Sequence, residues 1–296
     1  MLYYIAMKTL AITCADCSSL QKLQEHGADE VIFSLKNSTF SALKEMEEKE
    51  VLRCCEKAHE LGLKVSVLMN RLFPQNEVMD AATKMTALLN HGADYIIFAD
   101  PGLLYYARKE GMENRLIYQP ETLITSSCDA QFWMDQNLHS VVVSSLITKQ
   151  EITDIGNKVK GLSIYIHGRL LMSVSKRKLL KAYHDETSVP FQYDHNKNLY
   201  LVEEKRNGHM PIYENENACM IFTDYIQESF LEMPEFIQSL DRFVIDASWL
   251  SQDEGMDALQ IYADMLKGEK GDPQAYLQKY GKENFSDGYY GSKTIK

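Results

Sequence analysis

The sequence predicts an α/β chain closed into a TIM-like (β/α)8 barrel with a small antiparallel β insertion after the seventh strand, and three observations carry that reading. Short β-rich runs alternate with polar turns and helix-spaced stretches, the rhythm of a parallel sheet with crossover helices. Eight such runs occur, and several are nearly continuous apolar segments, as strands buried on both faces require. The phrase HGADEVIF at 26–33 returns as HGADYIIF at 91–98, each reading as helix end, tight turn and strand, which marks a repeated αβ unit.

In order, the predicted strands are Thr9–Thr13, Glu30–Phe33, Lys64–Leu68, Tyr95–Phe98, Leu116–Tyr118, Ser140–Ser144, Leu162–Ile166 and Arg242–Ile245. The helix predicted at Glu47–Leu61 stops at Gly62, and the one at Asn76–His91 stops at Gly92, both in the place where a helix end favours glycine. Between Gly168 and Leu240 lie about 70 residues where one loop and one helix would suffice, so something is inserted. Within that stretch Leu199–Val202, Met210–Tyr213 and Cys219–Phe222 read as short strands separated by Asn-rich turns, giving an inserted β subregion at 185–227. The whole chain, 1–296, reads as a single barrel domain whose polar and aromatic tail after Gly268 packs on the barrel.

Composition limits the setting. Apolar stretches such as Tyr95–Ala99 and Val141–Val143 fall far short of the ~20 residues that span a bilayer, so no membrane span is expected. The opening MLYYIAMKTLAITC has one Lys and no small-residue cleavage site, which reads as a cytoplasmic start rather than a secretory signal. Six cysteines in so long a chain read as reduced thiols rather than a disulfide framework. Cys14 and Cys17 form a CxxC, but no second CxxC or His pair answers it as a metal site would demand. The net charge of −11 argues against nucleic-acid binding by this chain alone, since phosphate contact needs a basic face. One local exception is the cationic group Arg169, Lys176, Arg177, Lys178 and Lys181, whose other reading is a solvated helix face.

Several segments together resemble the peptidase U32 family over almost the whole chain. LQEHGADEVIFSLKNSTFSA resembles the family's helix, GADAVYFG phrase and following Phe-Ser; AHELGLKVSVLMN resembles its third-strand unit; ADYIIFADPGLL resembles its Ile-Val-x-Asp-x-Gly turn. FWMDQNLHSVVVSSLIT resembles the strand before its Leu-Ser helix start, and the closing DGYYG resembles its Thr-Gly-Phe-Tyr ending. YIHGRLLMSVSKRKLL at 165–180 resembles the family signature Phe-x-His-Gly-Ala-Leu-Cys-x-x-Tyr-Ser-Gly-x-Cys-Leu-Leu. LVEEKRNGHMPIYENENACMIFTDYI resembles the later stretch that ends Ser-x-Asp-Leu-Cys. The resemblance implies either a collagenase-like peptidase or an oxygen-independent hydroxylase using an iron–sulfur cluster and prephenate. Here the two signature cysteines are replaced by Leu171 and Lys178 and the later one by Ile226, so a Cys-ligated cluster is not expected. The leading expectation is a cluster-less subunit, binding no cofactor unless prephenate. It pairs with a larger cysteine-bearing paralogue in tRNA wobble-uridine 5-hydroxylation and meets tRNA only through that complex. A U32 peptidase, a non-catalytic small-carboxylate-binding barrel, a purely structural partner and a homodimer stand as alternatives.

Candidate site residues follow from strand ends, because barrel active sites sit at the C-terminal mouth. His167 ends its strand beside Gly168 and Arg169, while Asn70, Asp100, Gln119 and Asp246 end others. Asp100, followed by Pro-Gly, reads equally well as a turn cap. Ser173 and Ser175 with His167 and Asp246 could make a serine-hydrolase set, the candidate catalytic residues being His167, Ser175 and Asp246, but no Gly-x-Ser-x-Gly elbow, Cys-His arrangement or HExxH supports it. The resemblance implies that Arg169, Arg177 and Arg206 fork onto a carboxylate such as prephenate and that Glu203, Glu204 and Arg206 reach the pocket from the insertion; a salt-bridged surface strand is the other reading of Glu203, Glu204 and Arg206. No metal ligand set is expected.

Overall fold

The structure is a computed structural model and describes residues 8–40, 42–120, 124–204 and 208–291. In chain order, β1 (Thr9–Thr13), α1 (Leu20–Glu25), β2 (Glu30–Ser34), α2 (Glu48–Glu60), β3 (Lys64–Met69) and α3 (Val78–Asn90) begin the barrel. They are followed by β4 (Tyr95–Phe98), α4 (Pro101–Glu110), β5 (Leu116–Tyr118), α5 (Ser127–Met134), β6 (Ser140–Val142), α6 (Lys149–Lys158) and β7 (Leu162–Gly168). The intervening segment supplies β8 (Leu171–Ser175), α7 (Leu179–Thr187), β9 (Tyr200–Val202), β10 (His209–Glu214), β11 (Cys219–Phe222), β12 (Ile226–Glu228) and α8 (Met233–Ser239). β13 (Arg242–Ile245) then completes the barrel, and α9 (Gln252–Leu266), α10 (Pro273–Tyr280) and β14 (Phe285–Ser286) follow.

Closure is visible in the register. β13 lies parallel to β1, with Leu10 opposite Phe243, and parallel to β7, with Phe243 opposite Ile164. β1 to β7 are otherwise neighbours in chain order, so eight parallel strands form the closed barrel the sequence predicted. Alternation sorts each strand's side chains. Ala11, Ile32, Leu68, Ile97, Ile117, Val142 and Val244 fill the barrel interior, whereas Leu10, Ile12, Val31, Phe33, Val65 and their like pack outward under the helices. Helix starts are set locally: Thr148 with Glu151 and Ser251 with Glu254 form capping boxes on α6 and α9.

The interior is polar at its floor, where the strands begin. Arg242 donates from Nε to Glu30 Oε2 at 2.9 Å and from Nη2 to Glu30 Oε1 at 2.5 Å, both residues being buried. Ser66 also donates to Glu30, and Ser140 and Ser163 share a 2.5 Å hydrogen bond. A buried ion pair held by this many partners closes the bottom of the barrel.

Two findings differ from the expectations. The small antiparallel sheet, ordered β8-β11-β10-β9, begins at Leu171, upstream of the expected boundary at 185, because β8 leaves the barrel after a single turn and pairs with β11. It sits on the barrel through Tyr213, Met220 and Phe222, packed against Leu43 and Trp249. The expectation of six reduced thiols is also corrected. Cys17, the second cysteine of the CxxC, is bonded to Cys54 on the buried face of α2, with Cα atoms 5.3 Å apart and a separation of 37 positions in sequence. Cys14, Cys55, Cys128 and Cys219 are free thiols. The fold brings α2 under the loop that follows β1, which sets Cys17 against Cys54 rather than against its CxxC neighbour Cys14. Closing a loop of that length stabilises a folded chain by about 2–4 kcal/mol. Reduction, or Cys17→Ser, is therefore expected to lower the unfolding free energy by that amount, read as a shift in urea midpoint against the oxidised protein. An unchanged midpoint would show that the bond adds nothing.

A candidate functional site at the barrel mouth

The inward parity that places Leu68, Ile117, Val142 and Val244 continues past the strand ends and delivers a set of polar side chains to the C-terminal mouth. Gln119 and Asp246 arrive this way and line a narrow recess of about 60 Å³, together with Ser145, Tyr165, Arg169 and Phe222. The Tyr165 hydroxyl donates to Gln119 Oε1 at 3.0 Å. Arg169 Nη1 donates to the Thr223 carbonyl at 2.7 Å, and burial lowers its pKa while leaving it a cation. Asp246 Oδ1 accepts from Thr13 Oγ1 at 3.2 Å and from the Ser248 amide at 3.0 Å, and burial is the main cause that raises its pKa.

Gly168 makes this arrangement possible. Its φ of +126° lies where side chains are disfavoured, and a Cβ there would come within 2.5 Å of the Asp246 carbonyl oxygen. The Asp246 amide donates to the His167 carbonyl at 2.8 Å, so the ends of β7 and β13 are stitched together at this point.

A second, larger recess of about 350 Å³ lies on the other side of Asp246, at the ends of β1 and β2. Thr13, Ser34, Lys44, Lys197, Ser248 and Gln252 supply polar atoms, and Ile12, Leu23, Leu43, Leu250 and Met256 supply apolar ones.

Other expected site residues go elsewhere. The expectation that His167 lines the mouth is corrected, since its side chain is buried on the outward side of β7. The cause is a register slip: Val244 faces Tyr165, but Ile245 faces His167, which turns the histidine toward the helices. There Nδ1 lies 3.3 Å from the Tyr262 hydroxyl and Nε2 lies 3.0 Å from the Tyr276 hydroxyl. Tyr262 donates its one proton to the Ile166 carbonyl and accepts from the Ser229 amide, so it can only accept from His167. That assigns the proton to Nδ1 and leaves Nε2 accepting from Tyr276. Both nitrogens are satisfied, and burial pushes the imidazole pKa down to about 3.

Ser175 accepts from the Arg177 amide at 3.1 Å in the turn after β8, and Arg177 is exposed there. The set His167, Ser175 and Asp246 is therefore not assembled, each member being bonded to different partners. Asp100 caps α4, accepting from the Gly102 and Phe73 amides at 2.7 Å each, which matches the turn-cap reading. Asn70 is buried and accepts from Thr39 Oγ1 at 2.7 Å. Glu203 and Glu204 are exposed just past β9, and Arg206 lies outside the described residues. Sequence reasoning missed Tyr165, Ser145, Lys44 and Lys197; only Tyr165 had a readable signal, its inward parity on β7.

At the three positions where the family signature has cysteine, Leu171 lines the narrow recess, the Lys178 ammonium donates to the Asn215 carbonyl, and Ile226 is buried in β12. Cys14 is the one described thiol lining either recess, and burial raises its pKa. Among the described residues no helix is long and apolar enough to cross a membrane.

Comparison with known proteins agrees with this architecture. The chain is 23% identical over 262 residues to tRNA hydroxylation protein P2 of Bacillus subtilis (strain 168), covering 87% of this chain and 85% of that protein. It is 30% identical over 129 residues to tRNA hydroxylation protein P of Escherichia coli (strain K12), covering 43% of this chain but 28% of that longer protein. Among solved structures, the U32 peptidase Mk0906 aligns with a TM-score of 0.52 at 13% identity, covering 82% of this chain and 93% of that one, a likeness of fold alone. The model of peptidase family U32 matches residues 15–295, and with that match the chain belongs to peptidase family U32.

Proposed function

We propose that this chain takes part in 5-hydroxylation of the tRNA wobble uridine as the cluster-less subunit beside a larger, cysteine-bearing paralogue. The observation that carries this reading is the similarity to tRNA hydroxylation protein P2 along 87% of the chain. Donor chemistry supports the division of labour. An iron–sulfur cluster needs thiolates, and Leu171, Lys178 and Ile226 offer none at the matching positions. The redox step then belongs to the partner, which also presents the tRNA. Exposed large apolar side chains concentrate on the inserted segment, at Met172, Val174, Leu179, Tyr183, Tyr200 and Val202, as a protein partner's docking face would require. Both subunits would work in the cytoplasm, a reducing compartment in which the Cys17–Cys54 bond is under thiol attack.

Within the mouth, Arg169 is the residue we assign to a carboxylate, prephenate being the one the family suggests. It lines the narrow recess, and a guanidinium forks onto a carboxylate with two parallel hydrogen bonds. A recess of about 60 Å³ admits the carboxylate end and not a whole molecule. Peptide hydrolysis finds no comparable support, because His167, Ser175 and Asp246 are held apart.

Deleting the gene is expected to remove wobble-uridine hydroxylation from tRNA mass spectra, and restoring Arg169→Ala is expected to recover at most about one tenth of it, the loss of one charge-assisted hydrogen-bond pair. A U32 paralogue should co-purify with the wild-type chain. Intact hydroxylation in the deletion strain would sink the reading.

A further inference from the structure

The larger recess beside Asp246 has no task in the reading above, and its lining is chemically mixed. Ile12, Leu23, Leu43, Leu250 and Met256 supply apolar lining. Lys44, Lys197, Ser34, Ser248 and Gln252 supply polar lining. Lys197 comes from the insertion, in the turn before β9, and reaches back over the barrel to line this recess. Among the described residues its ammonium makes no hydrogen bond or ion pair, and the charges that act on it are those of Asp246 and Lys44. Lys44 itself is held only loosely, 3.5 Å from Asp16.

Asp16 is the carboxylate on the recess wall, and it is already answered by the Ser18 amide at 2.8 Å and the Ser18 hydroxyl at 2.5 Å. Asp246 is half-buried and bonded to Thr13 and Ser248. Two ammonium groups therefore remain without a strong partner at a recess that also has apolar lining. The recess also lies at the loop that follows the last barrel strand, beside the short helix Ala247–Trp249 and the first turn of α9.

We propose that this recess binds a small amphiphilic anion, with its acidic group between Lys44 and Lys197 and its apolar body against Leu23, Leu43, Leu250 and Met256. A cavity of about 350 Å³ suits a body the size of one substituted six-membered ring. Such a ligand bridges the barrel and the insertion through Lys197, so binding also fixes the insertion over the mouth. This inference does not rest on the hydroxylation reading; it would stand if that reading failed.

The test is calorimetric titration and thermal shift of the full chain with three probes that share one ring: phenylacetate, phenyl phosphate and neutral benzyl alcohol. Saturable binding of either anion, with benzyl alcohol at least about 10-fold weaker, is expected, and the stronger anion tells carboxylate from phosphate ligands. Lys197→Gln should weaken that anion by about 10-fold or more, as should Lys44→Gln, while Arg169→Ala leaves it unchanged because Arg169 lines the other recess. Lys197 lies in an exposed turn, so its variant keeps the fold. Equal binding of the neutral probe, anion binding insensitive to Lys197→Gln, or no binding of any probe would overturn the proposal.

Discussion

Glu30→Ala is expected to lower the unfolding free energy by about 3–5 kcal/mol, because it leaves the Arg242 guanidinium buried without its counter-charge. Arg242 and Glu30 are 4% and 1% exposed, so neither charge can turn to water when the other is removed. Burial pulls the guanidinium pKa down, but the opposite charge of Glu30 and the two hydrogen bonds it accepts keep that pKa raised. Ser66 loses its acceptor in the same substitution. The pair need not be a net source of stability, since replacing both members by apolar residues of similar volume is often neutral or better. Glu30→Leu combined with Arg242→Met should therefore recover most of what either single change loses. Urea unfolding of the two single variants and the double variant measures the coupling directly. Singles that lose less than about 1 kcal/mol would mean that water reaches the barrel floor.

How much of this was readable in the sequence depends on whether strand parity holds. Eight runs of buried strand residues announced the barrel, and counting by twos from Ile117 and Val244 puts Gln119 and Asp246 in the mouth, where they are. The same count from Tyr165 puts His167 in the mouth too, and fails, because the slip between Val244 and Ile245 inserts one residue that no local pattern marks. Asp100 was legible as a cap from the Pro-Gly after it. Lys44 and Lys197 were not legible as neighbours. They lie 153 positions apart in loops, and only the folding of the insertion back onto the barrel brings them to one recess. Cys17–Cys54 was hidden for the same reason, being a contact between a loop and a helix face rather than a spacing.

His167 gives the second large effect, and it is one of pH. Its folded pKa of about 3 lies below the ordinary value of 6.5, so between those limits the unfolded chain binds the extra proton. The stability it contributes is fully present above pH 6.5 and is lost as pH falls, with about 2 kcal/mol gone by pH 5. Other groups pull the opposite way. Burial and the nearby Glu228 push the Glu232 carboxyl up to about 7, so its folded form binds more protons and is relatively favoured as pH falls from 7 toward 4.5. The total curve mixes these terms, and the difference between wild type and His167→Gln isolates the histidine. That difference should shrink steadily from pH 7 to pH 5, because glutamine keeps a donor and an acceptor but does not titrate. His167→Ala, which also leaves the Tyr262 and Tyr276 hydroxyls facing a void, should lose about 3–5 kcal/mol at pH 7.5. A catalytic base would behave otherwise: His167→Gln would abolish function at every pH without a pH-dependent change in stability. A wild-type minus His167→Gln stability difference that stays flat across this range would show that the imidazole is not held neutral by burial.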